Sequence, residues 1–209
     1  MDKIKSLNNI GFRLLENISK MDIYIEKELK EKTAQLVFFI LLLFIPSFTA
    51  KVIGILLLCS STLVNDIKNK NVELLYFLPY SKKELFSYNL LFLILIVMIT
   101  SAVSQLYYHE VFLYNSIAIL KPIIVLLAIY GIGIMFSSTG HDGFVWSIVI
   151  TIIDAILGNF GSVDIKAYDF NPYSLVSFTR QGNLLLSFLY SALICYLGYF
   201  AYVKKGGEN

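Results

Sequence analysis

Long apolar runs separated by short polar intervals make up most of the chain, and the first begins only near Ala34. The stretch before it follows a different rhythm. Ile4, Leu7, Leu14, Ile18, Met21 and Ile25 keep to three- and four-residue steps, with Phe12 and Leu15 beside them and Lys3, Lys5, Arg13, Lys20 and Lys27 interspersed. That spacing predicts an amphipathic helix over 1–33. A basic amphipathic helix suits the cytoplasmic membrane surface, with its apolar side in the acyl boundary and its lysines among the headgroups; packing on other cytoplasmic protein is the alternative. A late first apolar run behind a charged segment does not resemble a cleavable signal.

Apolar length and punctuation then predict six spans, at about 34–48, 52–64, 88–106, 117–136, 144–158 and 184–203. The first two are short of the roughly 20 residues a straight span needs, and Pro46 adds a kink or tilt to that hairpin. Basic residues fix the count and the orientation. With the N-terminus inside, the cytoplasmic stretches hold thirteen Lys/Arg: seven before the first span, four in 65–86 and two at Lys204 and Lys205. The outer stretches hold three, Lys51, Lys166 and Arg180. Five spans would put the lysines of 65–86 outside, against the positive-inside rule. The expected organisation is all-α: a cytoplasmic interfacial helix (1–33), a six-helix polytopic domain (34–203) and a cytoplasmic tail (204–209), in the cell membrane. A composition of 57% hydrophobic and 15% charged residues excludes an ordinary soluble domain.

The interval 65–86 is more than a polar loop. Ile67, Leu74, Leu75 and Leu78 share one helical side, Lys68, Lys70 and Glu73 lie toward another, and Pro79 ends the pattern. Ser81 with Glu84 three positions on predicts a capping box, from which a new helix runs into the third span. Two rigid helices meeting at a sharp corner can pass a push from a cytosolic partner into the membrane.

Asp66, Glu73, Leu74, Leu75, Leu78, Pro79, Ser81, Lys82, Lys83 and Glu84 resemble the pattern that follows the second span in type-2 ABC transporter permeases. Asn171, Pro172, Tyr173, Ser174, Leu175, Val176 and Arg180 are similar to the element before the last span of those permeases, and Glu28-Leu29-Lys30 to a tripeptide before the first. The first match departs from the family in lacking a glycine near Asn69 or Asn71. The resemblance implies a permease whose intracellular segment docks a separate ATPase through Asp66, Val72, Glu73, Leu74, Leu75, Phe77, Leu78, Pro79, Ser81, Lys82, Lys83 and Glu84. It implies a second copy or paralogue as partner, export of a lipid, glycoconjugate, peptide or drug, and short helices in 159–183 dipping into the outer leaflet. ATP and Mg would belong to the partner chains, with no cofactor on this one. No glycine here is followed by lysine, so the chain has no phosphate-binding P-loop of its own.

Ionisable groups inside spans are costly and face the bundle interior or a cavity. Asp154, near mid-depth of the fifth span, lines the pathway or a dimer contact, or else is hydrogen-bonded to Thr151 or a neighbouring span. With Asn171, Pro172 and Arg180 it completes the candidate pathway residues. Lys121 is expected to snorkel to the interface. Gly131, Gly133 and the Ser187, Ser191, Cys195 stripe are small faces for helix packing. Cys59 and Cys195 read as core residues. His109 and His141, expected on opposite sides of the membrane, share no metal site. No catalytic constellation or nucleic-acid surface is indicated, so the expectation is a non-enzymatic subunit. The competing class is an intramembrane enzyme or scaffold acting through Asp154.

Overall fold

A computed structural model of the chain describes residues 2–68, 80–106 and 112–205. Among them lie eight helices: α1 (Asp2–Phe44), α2 (Phe48–Ser61), α3 (Leu63–Lys68), α4 (Lys82–Leu106), α5 (Phe112–Ser138), α6 (Gly143–Asn159), α7 (Tyr173–Val176) and α8 (Leu184–Lys205). The sole strand-like feature in these residues is an isolated bridge between Ser162 and Phe170. Lys82–Gln105, Ile119–Ser138 and Leu184–Lys204 are long and apolar enough to cross a membrane. The apolar helices α2 and α6 are shorter, at 14 and 17 residues. At 1.5 Å per residue α2 covers about 21 Å, less than a hydrocarbon core of about 30 Å.

The turn of the expected first hairpin falls at 45–47, four residues before the 49–51 that the sequence pattern predicts. Pro46 cannot extend a helix and biases Ile45 away from helical backbone, so α1 stops at Phe44 and α2 starts after Ser47. Lys51, assigned by sequence to the turn, lies inside α2 and is buried, its ammonium donating to Ser104 Oγ at 2.8 Å. α1 is also interrupted: Lys32 leaves helical geometry at φ −122°, ψ 18°.

The bundle packs on an apolar core that includes Ile55, Leu58, Leu93, Ile124 and Ile129, whereas α6 turns a small, polar side inward and an apolar side outward. On α6 the buried positions are Gly143, Ser147, Thr151, Asp154 and Gly158, while Val145, Ile152, Ile153, Ile156 and Leu157 are exposed. Water would reverse that face, and lipid tolerates it. Small residues also decide how closely the helices approach. A Cβ on Gly131 of α5 would lie 2.6 Å from Cys195 Cα and 2.6 Å from the Ile194 carbonyl oxygen on α8. Gly198, which the sequence reading did not single out, meets the Gly131 carbonyl in the same crossing. Gly133 faces Val64 and Ser147 instead, so adjacent small residues serve different neighbours. This is the close backbone packing expected where no hydrophobic effect drives helices together.

Candidate functional site

Contacts across the bundle gather its polar residues at two opposite ends. The first, the ionic end, joins α1, α3 and the start of α4. Glu28 and Asp66 are buried, and Lys27 and Lys32 bridge them. Lys32 Nζ reaches Glu28 at 3.0 Å and Asp66 at 3.1 Å; Lys27 Nζ reaches the same two acids at 3.2 and 3.4 Å. The break in α1 falls at Lys32, the residue with the closest contact to each acid. Burial lowers the proton affinity of Lys27, but Glu28 and then Asp66 more than reverse it and hold the ammonium above its ordinary pKa. Behind this cluster the Asn89 amide donates to the Tyr24 phenol oxygen at 2.9 Å. Burial, reinforced by Glu28, raises the Tyr24 pKa.

The corner 65–86 enters this end from both sides. Asp66, its first acid, is in the cluster. At its other end Ser81 N donates to Glu84 Oε2 at 2.7 Å and Glu84 N to Ser81 Oγ at 3.2 Å, the reciprocal bonds of a capping box at the start of α4. Lys82 and Lys83 begin that helix, Lys83 exposed. Glu84 also approaches Lys20 at 3.6 Å, and the Tyr80 hydroxyl donates to the Lys20 carbonyl. Part of the stripe read as membrane-facing packs on the chain itself: Met21 sits against the cluster of Tyr24, Tyr80, Leu85 and Tyr88, and Ile25 against the main core. Val72, Glu73, Leu74, Leu75, Phe77, Leu78 and Pro79 lie outside the described residues. Close by, Lys68 pairs with Asp142 at 2.5 Å and, as the largest influence, holds that carboxyl below its usual range. Asp142 also caps α6 through the Phe144 and Val145 amides.

The second, the hydroxyl end, unites all four candidate pathway residues. Asp154 is 1% exposed and accepts from the Tyr173 hydroxyl at 2.5 Å, Ser177 Oγ at 2.7 Å, Thr179 Oγ1 at 2.7 Å and Thr179 N at 3.0 Å. Thr151 is not a partner; its hydroxyl turns to the Ser147 carbonyl. Asn171 explains its pairing with Pro172. Its amide donates to the Leu157 and Phe160 carbonyls, closing the end of α6, and its Oδ1 accepts from Tyr173 N at the start of α7. Pro172 supplies helical backbone at φ −61° just before that turn. Arg180 Nη1 donates to Asn159 Oδ1 at 3.0 Å. The partners of Asp154 were not anticipated, although the hydroxyl-rich run Tyr173, Ser174, Ser177, Thr179 was a readable sign of donors.

His109 lies outside the described residues, and His141 is exposed beside Thr139 Oγ1. Among the described residues no three His, Cys, Asp or Glu converge as a metal site would need. Comparison of the chain with protein-family models, with curated proteins and with solved structures finds no match.

Proposed function

We propose that the chain is the transmembrane permease subunit of an ATP-driven type-2 ABC exporter, coupled through 65–86 to separate cytosolic ATPase subunits. The observation that carries this reading is Asp66. It begins the corner and is clamped by Lys27 and Lys32 to the break in α1, while the Ser81–Glu84 cap joins the other side of the corner to α4. A load applied between those two anchors is passed to several membrane helices at once. Motions of this kind move packed elements between two discrete arrangements.

In this reading the chain crosses the membrane six times, with both termini and the ionic end cytoplasmic, the 1–33 helix at the interface and 159–183 capping the outer side. Long-range bonds support alternating passes: Lys51 with Ser104 and Gln181 with the Lys121 carbonyl at one end, Lys32 with Asp66 and Lys68 with Asp142 at the other. Two such subunits, identical or paralogous, would sit on two ATPases holding ATP and Mg, and alternating access would carry a lipid, glycoconjugate, peptide or drug. An intramembrane enzyme built on Asp154 has less support, because four hydrogen bonds already occupy that carboxylate.

The test is purification of the tagged full chain from its native host in mild detergent, followed by mass spectrometry. A stoichiometric small ATPase is expected; its repeated absence beside intact chain overturns the reading. Glu73→Arg or Leu75→Asp is expected to uncouple ATP hydrolysis from transport while the helices stay folded.

A further inference from the structure

Beside the Asp154 node lies a cavity of about 430 Å³, within the range of ligand sites. Phe48, Val52 and Ala155 give it an apolar wall, and Lys121, Arg180 and Thr49 a polar one. A second cavity of about 480 Å³ opens next to it, sharing Lys121 and Gln181 and bounded by Leu184 and Leu185. No residue lining either cavity is acidic. Neither Lys121 nor Arg180 has a carboxylate within ion-pair distance among the described residues, in contrast to Lys27, Lys32 and Lys68 at the ionic end. Arg180, an exposed residue like Lys121, gives one N–H to Asn159, and its guanidinium has no other partner among the described residues.

The two cations come from different elements and are held together by Gln181. Among the described residues it is the one non-glycine with positive φ, at 55°. Its amide donates to the Lys121 carbonyl at 2.9 Å and the Phe178 carbonyl at 2.8 Å, tying the start of the α5 span to the segment carrying Arg180. Left-handed backbone at a buried polar side chain is a feature of positions under functional constraint. The depth agrees as well. Lys121 is near the start of the stretch Ile119–Ser138 and Leu184 begins Leu184–Lys204, so the cavities lie where two membrane-crossing helices enter the headgroup layer.

We propose that Lys121 and Arg180 form a binding site for the phosphate of an anionic amphiphile, its headgroup between the two cations and its chain along Phe48, Val52 and the lipid-facing surface. The site stands without ATP-driven transport. A phosphate supplies the charge both side chains lack, and the apolar wall selects a phosphate that carries a tail over a free anion.

The test titrates the purified full chain in non-ionic detergent with a short-chain phosphatidylglycerol, the matching phosphatidylcholine and inorganic phosphate, with binding read by native mass spectrometry. Phosphatidylglycerol is expected to bind in preference to phosphatidylcholine, with about a fivefold loss for Lys121→Gln or Arg180→Gln alone and loss of the preference in the double variant. The charge-retaining pair Lys121→Arg and Arg180→Lys, with circular dichroism as the check on folding, is expected to keep it. Equal binding of the two lipids, or an unchanged preference in a folded double variant, overturns the proposal. Displacement of the lipid by inorganic phosphate at matching concentration overturns the amphiphile and leaves a simple anion site.

Discussion

The two ends of this bundle bury carboxylates by opposite means. At the ionic end Glu28 and Asp66 face Lys27 and Lys32, so charge is met by charge across a break in α1. At the hydroxyl end Asp154 has no ion pair among the described residues and is satisfied by three hydroxyls and one backbone amide. The first arrangement depends on all its members, since removing one leaves the rest charged and buried. The second is a set of separable hydrogen bonds, each modest alone. Under the proposed function, coupling to an ATPase would fall to the stiff, all-or-none end and capping of a pathway to the divisible one.

The largest effect is expected from Asp66→Ala, which leaves the buried Lys32 beside Glu28 alone and Lys27 beside Glu28 and Glu31. A loss of about 3–5 kcal/mol, read as a lower thermal midpoint in detergent, follows from breaking a buried charge cluster. Asp66→Asn, which keeps the shape but not the charge, is expected to cost nearly as much. A harmless Asp66→Asn would show that geometry, not charge balance, holds the ionic end.

Asp154→Ala is expected to cost less, about 2 kcal/mol, because it strands neutral donors. Its signature is local: faster hydrogen exchange over 171–181, with the Gly131–Gly198 crossing unchanged. Here Asp154→Asn recovers part of the loss, since one acceptor oxygen remains and the hydroxyls can rotate to accept from the new amide. If asparagine behaves like alanine at position 154, the contrast between the ends fails.

The pH dependence sharpens the same comparison. Lys27 is held above its ordinary pKa, so its contribution is fully present below the unfolded value of about 10.4 and is lost as pH rises through the higher folded one. Unfolding midpoints are therefore expected to fall on an alkaline limb that Lys27→Gln reduces. An alkaline limb identical in wild type and Lys27→Gln would remove Lys27 from the cluster's energetics.

What the sequence made legible divides by range of interaction. The Ser81–Glu84 cap was readable because its partners are three residues apart, and the small faces at Gly131 and Cys195 because packing in lipid needs small residues wherever helices touch. The partners of Asp154 come from 19 to 25 residues later, past an irregular segment, whereas the sequence reading offered Thr151 or a neighbouring span. Lys27 and Lys32 show the same limit. A basic residue on an amphipathic helix reads as a headgroup contact, and only the fold brings Asp66 back to it from 34 and 39 positions away. Lys51 read as a turn residue because its neighbours did; burial against Ser104 depends on where α4 ends. Three long apolar helices were plain from composition, whereas the short α2 and α6 depend on breaks that length alone does not locate.

The smallest expected effect belongs to the cap at Ser81, the one exposed and local element in the comparison. Ser81→Ala removes the acceptor for Glu84 N and is expected to cost about 1 kcal/mol, with the helices intact. Glu84 gives the cap a pH dependence opposite in sign to that of Lys27. The Ser81 backbone amide is the main cause holding its carboxyl below the usual range. The contribution is therefore present above the unfolded pKa of about 4.3 and disappears as pH falls through the folded value. Glu84→Gln keeps a neutral acceptor and should flatten that acid limb, whereas Ser81→Ala should lower stability on both sides of it. If both variants leave the acid limb unchanged, the cap is not what fixes the start of α4, and the packing of Tyr80, Leu85 and Tyr88 against Tyr24 is left to hold that side of the corner.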